Sequence, residues 1–567
     1  MRDHAETLID WDGLDDLKFA DEREAARELN ARVGLDEAAR KRAGEAAVGL
    51  VKTARKTKRG GGLMESFLQE FGLSNKEGLA LMCLAEALLR VPDKETADDL
   101  ISEKIGSGRW AEHAWKSDNW LVNASTLGLM LTGSLMDLDP KARKDPGGYF
   151  RRMAGRLGEP VIRTATRRAM RILGEQFVLG RTIESAIKRG RGWKMYGAMK
   201  PLFSFDMLGE GARTEADAKR YHKRYLEALE AVAAKRRNGP IETVDGVSVK
   251  LSALHPRYVA VKEDQVFEDL YPRILEQCQA AAKADIALCL DAEESDRLVI
   301  QMKVLERLSR EPSLKDWGGL GLAVQAYQKR CRPLLERLVK LGEQTGRRFL
   351  VRLVKGAYWD TEIKWAQIAG HPDFPVWSTK PATDMNYLAC ARVMLNAPHA
   401  IYPQFATHNA HSLCTVRELA KEAGDPPYEF QRLHGMGEPL YAAAAETWGE
   451  DLGPVRIYAP VGTHSDLLPY LVRRLLENGA NTSFVHAFLD DDVPAEDVAA
   501  GPFAMAETLD RHPFIPAPPA LYGEARVNSA GVDLSQTKVR ERLAQAQAGF
   551  DAGAPHVCGP IIDGQAF

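Results

Sequence analysis

The sequence predicts an α/β fold in which a (βα)8 barrel follows an all-helical N-terminal region. Up to about residue 192, charged residues are interleaved among Leu, Ala and Met at spacings of three and four, which is the pattern of amphipathic helices. Beyond Pro201, short β-rich runs alternate with longer amphipathic stretches, eight times over about 280 residues. Eight βα units of this total length are typical of a closed barrel, whose usual size is ~250 residues.

The predicted strands and helices alternate strictly along the chain. The candidate strands are residues 202–208, 247–252, 286–290, 321–325, 349–354, 400–406, 428–433 and 455–459. The candidate helices are residues 215–237, 265–284, 295–309, 329–341, 383–395, 410–423, 440–447 and 465–478. Beyond about residue 516 the chain is rich in Pro, Gly and Ala and has one more helical stretch at 538–547. We therefore divide the chain into a helical region at 1–192, a barrel at 193–485 and a third segment at 486–567.

Composition and charge exclude several classes of function. The chain has 567 residues, with 76 Lys and Arg against 79 Asp and Glu, so its net charge gives no reason to expect a nucleic-acid partner and we expect none. Its seven cysteines contain no C-x-x-C pair, so we expect neither a disulfide framework nor a zinc ribbon. The N-terminus lacks the character of a signal or transit peptide, and no apolar stretch is long enough to cross a membrane. We therefore expect a cytoplasmic protein.

Polar side chains follow each predicted strand of the barrel. In (βα)8 barrels the chemistry lies at the carboxyl ends of the strands and in the loops that follow. The candidates at these places are Asp206, Glu210, Lys250, His255, Asp291, Glu293, Glu294, Gln325, Arg352, Lys355, Tyr358, Thr407, His408, Asn409, Gln431, His434 and Tyr458. A buried Arg352 requires a partner, and the residues alone leave open whether it forms a purely structural ion pair with Asp291 or has a functional role.

The predicted last helix of the barrel carries a pair of arginines. Positions 470, 473, 474 and 477 recur there three or four apart, which places on one helix face Tyr470, one or both of Arg473 and Arg474, and Glu477. Guanidinium groups can hold a carboxylate by paired hydrogen bonds, so this face suits an anionic substrate. Outside the context of a barrel, an exposed face with an ordinary ion pair would explain the same pattern.

A metal site and a nucleotide-binding Rossmann domain are not favoured. His408 and His411 follow the sixth strand and could form a metal site with Asp291 or Glu293, but no H-E-x-x-H motif is present and three-residue spacing of histidines is common. The glycines form neither G-x-G-x-x-G nor a P-loop. We therefore predict no metal ligands.

Eight blocks along the predicted barrel carry long, distinctive motifs. They are SFDMLGEGART at 204–214, VSVKLSALHPRY at 247–258, LDAEESDRL at 290–298, AVQAYQKR at 323–330, RLVKGAYWDTEIK at 352–364, PQFATHNAH at 403–411, LHGMGEPLY at 433–441, and RIYAPVGTH through LVRRLLENGANTSF at 456–484. In this order they resemble the proline dehydrogenase domain of the bifunctional proline utilisation A flavoproteins. The resemblance implies a distorted, TIM-like (βα)8 barrel that binds FAD non-covalently and oxidises L-proline to Δ1-pyrroline-5-carboxylate. Hydride would pass from proline Cδ to flavin N5, and the electrons would then pass to a membrane quinone.

The resemblance also implies partners and a location. The expected partners are L-proline and a membrane quinone, with peripheral association of a cytoplasmic protein with the inner face of the cell membrane. A homo-oligomer is compatible with the resemblance, and the family's ribbon-helix-helix DNA-binding module is not expected because the chain begins too late in the family pattern. Long members of the family continue into an aldehyde dehydrogenase domain. We expect residues 486–567 to be a linker and the start of that missing domain, and we assign no second active site.

By resemblance, the proline site can be assigned residue by residue. Arg473 and Arg474 match the pair that grips the proline carboxylate, with Lys250 as a third cation. The residues that match the walls around the proline ring are Asp291, Leu353, Tyr358, Tyr458 and Tyr470. Arg352 matches the arginine beside flavin N5 that tunes its electron affinity. The residues that we predict to be catalytic are Arg352, Lys250, Asp291 and Tyr358.

The resemblance assigns a gate and a cofactor site as well. Glu210 matches the glutamate that pairs with Arg473 to close the site over substrate. The residues that match positions lining FAD are Asp291, Ala323, Gln325, Arg352, Val354, Lys355, Gly356, Ala357, Trp359, Thr379, Lys380, Thr407, His408, Asn409, Gln431, Glu477 and Ser483. Two of these, Thr379 and Lys380, lie in a block that matches less closely, and Ala323 stands where a larger β-branched residue is common.

Two other hypotheses stay open at this point. A metal-dependent barrel hydrolase or lyase using His408, His411 and Asp291 would bind metal and no flavin. A flavin-binding scaffold or regulator without catalysis would be yellow but would not be bleached by proline.

Overall fold

Eight parallel strands close into a barrel in sequence order, with β1 paired to both β2 and β8. A computed structural model describes residues 8–56, 178–193, 200–462, 493–505, 510–550, 559–563 and 565–566. The strands are β1 (Leu202–Met207), β2 (Gly246–Val249), β3 (Ala287–Leu290), β4 (Leu320–Gln325), β5 (Phe349–Val354), β6 (Ile401–Ala406), β7 (Glu429–Leu433) and β8 (Val455–Val461). The predicted fold class and all eight predicted strands are confirmed, with strand ends within three residues of the prediction.

Helices cover the outside of the barrel in the order that the amphipathic stretches predict. They are Glu215–Ala233, Glu263–Gln265, Tyr271–Lys283, Leu298–Ser309, Cys331–Thr345, Trp359–Ala369, Lys380–Leu395, Ala410–Glu422 and Glu438–Trp448. The predicted stretch 265–284 begins with a π-helical turn, Val266–Leu270. The predicted helix at 465–478 lies outside the described residues.

The helix Trp359–Ala369 was not predicted, because we assigned that block to a strand and its exit. Gly356 ends the exit from β5 with a φ of 137°, and a Cβ there would lie 2.4 Å from the ring of Tyr327. The helix begins three residues later with Asp360 and Glu362 in its first turn, where negative charge complements the helix dipole. The acidic start was therefore the available signal for this helix.

The described parts of the N-terminal region are helical, as predicted. The helices are Glu22–Arg27, Leu29–Val33, Glu37–Lys56 and Ile183–Gly192, preceded by a 3-10 turn at Asp12–Leu17. They dock on barrel helices through specific hydrogen bonds, such as Trp11 Nε1 to Glu306 Oε2 at 2.6 Å and Arg392 Nε to the Val33 carbonyl at 2.9 Å. The N-terminal segment is therefore built onto the barrel wall.

The segment beyond the barrel also docks on the N-terminal segment. Its described elements include the helices Ala495–Val498 and Thr537–Ala548 and a small antiparallel pair, Ile561–Ile562 with Gln565–Ala566. Lys18 Nζ lies 2.7 Å from Asp533 Oδ2, and Lys538 Nζ lies 2.6 Å from Asp16 Oδ2. Although this segment shows little helical or strand periodicity, its described residues are held by ion pairs to residues that are distant in sequence. The domain boundaries at 192 and 485 stay predictions.

Successive residues of a strand point to opposite sides, so alternate positions face the barrel interior. On β5, Phe349, Val351 and Leu353 are fully buried in the main hydrophobic core, whereas Arg352 points into the barrel and bonds to polar side chains of other strands. The barrel interior is therefore where the charged chemistry collects. Among the described helices, none combines the length and apolar character needed to cross a membrane.

Candidate active site at the carboxyl end of the barrel

One buried carboxylate, Asp291, gathers side chains from three other strands or strand ends. Its Oδ1 accepts a hydrogen bond from Arg352 Nη1 at 2.7 Å. Its Oδ2 accepts from the Tyr458 hydroxyl at 2.6 Å and from Lys250 Nζ at 3.2 Å. The structure thus brings together four of the predicted site residues around a single anion.

Arg352 is fixed on all sides by acceptors within the barrel. Beyond Asp291, its Nε donates to Gln431 Oε1 at 2.7 Å and its Nη2 donates to the hydroxyls of Ser204 and Ser248 at 3.0 Å each. Burial alone would lower the pKa of the Arg352 guanidinium, but its neighbours, including Asp291, raise it above its ordinary value. The site therefore holds a permanent, oriented positive charge.

Lys250 supplies a second fixed cation. Its Nζ donates to Asp206 Oδ1 at 2.8 Å as well as to Asp291, and it lies 3.1 Å from the Tyr458 hydroxyl. Burial acts to lower the pKa of Lys250, but Asp206, Tyr458 and Asp291 raise it well above its ordinary value. Lys250 therefore carries its proton at neutral pH.

The two carboxylates beside Lys250 differ in their environment. Burial raises the pKa of Asp206, whose side chain is entirely enclosed. Burial also acts upward on the pKa of Asp291, but Lys250 and Arg352 together hold it below its ordinary value. Asp291 is therefore the stable anion of the cluster.

A second ion pair lies deeper in the barrel. Arg456 Nε and Nη2 donate to the two carboxylate oxygens of Glu429 at 2.6 and 2.9 Å. Gln431 joins this pair to the Asp291 cluster, since its Nε2 donates to Glu429 Oε1 at 2.7 Å while its Oε1 accepts from Arg352. Gln431, which we predicted to line a cofactor, is placed by the structure as a buried link that orients Arg352.

The exit of β5 forms the half-buried rim of the site. The residues from Val354 to Trp359, including the predicted cofactor contacts Lys355, Gly356 and Ala357, are all partly exposed there. Tyr358 lies on this rim as well and packs beside the buried Tyr327. Leu353, predicted to wall the substrate, lies on the opposite face of the strand and is fully enclosed in the core. The structure therefore does not bring the Leu353 side chain to the cluster.

Two lysines converge at the start of the helix Lys380–Leu395. Lys355 Nζ and Lys380 Nζ each lie 2.5 Å from a carboxylate oxygen of Asp384. Burial acts to raise the pKa of Asp384, but the two lysines hold it below its ordinary value. The buried hydroxyl of Thr379, at the N-cap of this helix, has no hydrogen-bond partner among the residues that the structure describes. A helix N-terminus with two lysines and an unsatisfied hydroxyl fits the diphosphate group of a dinucleotide.

The predicted cofactor contacts after β6 shape a tight turn. Asn409 Oδ1 caps the helix Ala410–Glu422 by accepting from Ser412 N at 2.8 Å, and Thr407 Oγ1 accepts from Asn409 N at 3.1 Å. His408 Nε2 accepts from the backbone N–H of Leu433 at 3.1 Å, which ties this turn to the end of β7. The three residues are therefore held at the same rim as the end of β5.

The histidines do not form a metal site with Asp291 in the described part of the chain. His411 Nδ1 lies 3.2 Å from the Thr415 hydroxyl, and burial lowers the pKa of His411 to about 4. His408 and Asp291 have the separate partners given above. Among the residues that the structure describes, no group of three His, Cys, Asp or Glu side chains could hold a metal ion. The hypothesis of a metal-dependent hydrolase or lyase gains no support from this arrangement.

The other predicted residues lie around the same end of the barrel or outside the described residues. Ala323 pairs with Arg352 across β4 and β5, and Gln325 Nε2 donates to the Glu293 carbonyl at 2.8 Å. Trp359 Nε1 donates to the Trp377 carbonyl at 2.9 Å, and Glu210 is half-buried after β1. The predicted residues outside the described part of the chain are Tyr470, Arg473, Arg474, Glu477 and Ser483.

Sequence analysis missed several interior residues that organise the cluster. They are Ser204, Ser248, Glu429 and Arg456, whereas Asp206, which bonds to Lys250, was among the predicted candidates. The signal was available in the alternation of the strands, because residues two apart face the same side. Ser204 and Asp206 share the face of β1 that meets Ser248 and Lys250 on β2 and its end.

Comparison with known proteins gives two family matches and several relatives. A family model described as Proline dehydrogenase matches residues 191–487. A second, described as DNA-binding domain of Proline dehydrogenase, matches residues 63–177, which lie outside the described residues. That description is at odds with our expectation of no nucleic-acid partner, which rested on a whole-chain charge that averages over segments.

The chain resembles both long and short relatives. It is 47% identical over 522 residues to the Bifunctional protein PutA of Salmonella typhimurium, covering 89% of this chain and 39% of that protein. It is 29% identical over 333 residues to the Proline dehydrogenase of Deinococcus radiodurans, covering 58% of this chain and 93% of that protein.

A solved structure of a proline utilization A mutant from Bradyrhizobium japonicum matches with a TM-score of 0.72 and 43% identity, covering 94% of this chain and 53% of that chain. The chain thus spans about two fifths of the length of the Salmonella relative and about half of the solved chain.

Proposed function

This chain belongs to the proline dehydrogenase family, and we propose on that premise that it oxidises L-proline to Δ1-pyrroline-5-carboxylate with FAD as its cofactor. The family predicted from the eight motif blocks is confirmed, since the matching model covers more than half of the chain. The observation that carries the proposal is the Asp291 cluster, which fixes Lys250, Arg352 and Tyr458 at the carboxyl end of the barrel. The Deinococcus relative, named Proline dehydrogenase, is matched over nearly its whole length, which supports placing the activity in this part of the chain.

The residues present fit FAD. Lys355, Lys380 and the unsatisfied hydroxyl of Thr379 would hold its diphosphate, and the rim at Thr407 to Asn409 would line the rest of the group. When bound, FAD supplies the two-electron oxidant that accepts hydride from the substrate carbon. Arg352, whose charge is permanent and whose position is fixed, would act as the electrostatic partner at the reacting end.

The chain's own residues bind and orient the amino acid in this proposal. Lys250, held by two carboxylates, offers a cation for the substrate carboxylate together with the predicted pair Arg473 and Arg474. The guanidinium of Arg352 lies 5.0 Å from the centre of the Tyr458 ring, so this half-buried ring forms part of the wall above the charges. Because every cation of the cluster is already paired in the protein, little reorganisation is needed when substrate binds.

We extend the proposal to the fate of the electrons and to location. By family resemblance, the electrons pass to a membrane quinone, and the cytoplasmic protein associates peripherally with the inner face of the cell membrane. Proline-dependent reduction of a quinone added in lipid vesicles tests this extension. An enzyme that is reduced by proline but passes no electrons to any quinone would leave the dehydrogenase half-reaction in place and remove the quinone.

A visible absorption spectrum with anaerobic addition of proline tests the main proposal. Flavin bands that bleach with L-proline and not with D-proline are expected. Bands that L-proline does not bleach would favour the non-catalytic scaffold. A protein that cannot be loaded with FAD at all would overturn the assignment and return attention to His408 and His411.

A further inference from the structure

A short segment between two helices, Asp373 to Thr379, leads directly into the proposed diphosphate site. Within it, the N–H of Trp377 donates to the carbonyl of the barrel residue Tyr327 at 2.8 Å. The next residue, Ser378, donates instead to Glu22 of the N-terminal segment, from its N–H at 2.7 Å and from its hydroxyl at 2.9 Å, both to Oε1. Glu22 is only 1% exposed. A carboxylate from outside the barrel therefore holds the residue that precedes Thr379.

The segment that follows the barrel holds Ser378 from the other side. The backbone N–H of His512 donates to Ser378 Oγ at 2.8 Å. The neighbouring Arg511 lies with Nη2 2.5 Å from Asp373 Oδ2 and 2.9 Å from Asp21 Oδ2. Two segments almost 500 residues apart in sequence thus meet on this segment.

Asp373 joins these segments into one cluster. Its Oδ2 accepts from the backbone N–H of Glu22 at 3.2 Å and lies 3.3 Å from Lys329 Nζ, which also donates to the Ala20 carbonyl at 2.8 Å. Glu22, Asp373 and Lys329 are all buried. A buried charge that loses its partner is left uncompensated, which is strongly destabilising. Removing one member of this cluster is therefore expected to weaken the contacts of the other members.

We propose that Glu22 and Arg511 are positioning residues for the cofactor: by fixing Ser378 and Asp373, they hold Thr379 and the start of the helix Lys380–Leu395 where a diphosphate group binds. The inference rests on the proposed function, because it assumes that FAD occupies this end of the barrel. Among the described residues, Glu22 and Arg511 bond to Ser378, Asp373 and Asp21, and not to Lys355, Thr379 or Lys380. Docking of both chain segments is thereby coupled to cofactor affinity.

The test is the dissociation constant for FAD of the apoprotein, measured by quenching of flavin fluorescence. We expect Glu22→Ala to raise it about tenfold, the factor that corresponds to ~1.4 kcal/mol. Glu22→Gln should recover most of the affinity, because its amide oxygen can still accept from Ser378. Arg511→Ala should weaken binding by a smaller factor. After saturation with FAD, the proline KM of these variants should match that of the unmodified protein.

Arg23→Ala provides a matched control. Arg23 is the next residue after Glu22 and pairs with Asp510 at 2.6 Å, so it links the same two segments, but both side chains are exposed and neither contacts Ser378. Its FAD affinity should be unchanged. Equal losses in Arg23→Ala and Glu22→Ala would overturn the specific role of Glu22.

Further outcomes separate this inference from the proposed function. If the unmodified protein does not bind FAD, the proposed function fails; if it binds FAD and Glu22→Ala binds equally well, only the inference fails. If Glu22→Ala does not fold, Ser378→Ala removes the shared hydroxyl without exposing a buried charge and should still raise the dissociation constant. An unchanged value for Ser378→Ala would then overturn the inference.

Discussion

Both the barrel interior and the cluster around Ser378 bury charged side chains, but these side chains come from different parts of the chain. Inside the barrel, Asp291, Lys250 and Arg352 come from strands that are hydrogen-bonded in one closed sheet, so their positions follow from strand register. Around Ser378, Glu22 and Arg511 come from segments that reach the barrel from outside. The comparison teaches that the proposed substrate end depends on the sheet, whereas the proposed cofactor end depends on both flanking segments.

The largest expected effect lies deep in the barrel. Arg456→Ala would leave Glu429, which is 1% exposed, as an uncompensated buried charge and would also remove the donor to the Val244 carbonyl. We expect the free energy of unfolding to fall by about 3–5 kcal/mol. Urea denaturation of the apoprotein measures it. A loss below about 1 kcal/mol would mean that the barrel does not depend on this pair.

An intermediate effect should appear as a pH dependence of stability. Burial lowers the pKa of His411 to about 4, so between pH 6.5 and 4 the unfolded chain binds a proton at His411 that the folded protein does not. This contribution to stability is complete above pH 6.5 and is lost as the pH falls toward 4, by about 2–3 kcal/mol.

His411→Gln should therefore flatten the acid side of the stability curve relative to the unmodified protein. His399→Gln is the matched control, because His399 is exposed and pairs with the exposed Glu343. Parallel curves for the His411 variant and the unmodified protein would show that burial does not suppress protonation there.

The smallest effect should come from the exposed edge of the contact between the N-terminal segment and the segment after the barrel. Lys538 and Asp16 pair at 2.6 Å, but their side chains are 62% and 55% exposed. Lys538→Ala should leave the free energy of unfolding unchanged within the error of urea denaturation. A loss several times larger than that error would show that this exposed ion pair, as well as the buried contacts, holds the segment after the barrel in place.

The sequence could predict the barrel and the centre of its site because both follow local rules. Eight strands showed the expected β-rich runs, and Lys250, Asp291, Arg352 and Tyr458 stood where (βα)8 barrels place their chemistry. Alternation along β5 also places Leu353 and Arg352 on opposite faces of the strand, whereas the assignment by family resemblance put both at the active site. The same alternation could have found Ser204 and Ser248, which bond to Arg352.

The rest could not be predicted because its partners are distant in sequence. Glu22 and Ser378 are 356 positions apart, and no periodicity around either residue indicates the other. The segment after the barrel has little helical or strand pattern, since its order depends on ion pairs such as Lys18 with Asp533. The helix Trp359–Ala369 was missed for a different reason: its acidic first turn was read as part of a strand exit.

The most direct test of the central claim is the rate at which L-proline bleaches bound flavin in Asp291→Asn. The substitution keeps the size of the side chain and removes the charge that aligns Lys250, Arg352 and Tyr458. With rates normalised to bound flavin, we expect anaerobic bleaching to slow by about 100-fold, which corresponds to ~2.7 kcal/mol of activation free energy. Bleaching at the rate of the unmodified protein would contradict the claim that the Asp291 cluster is the centre of the proline site.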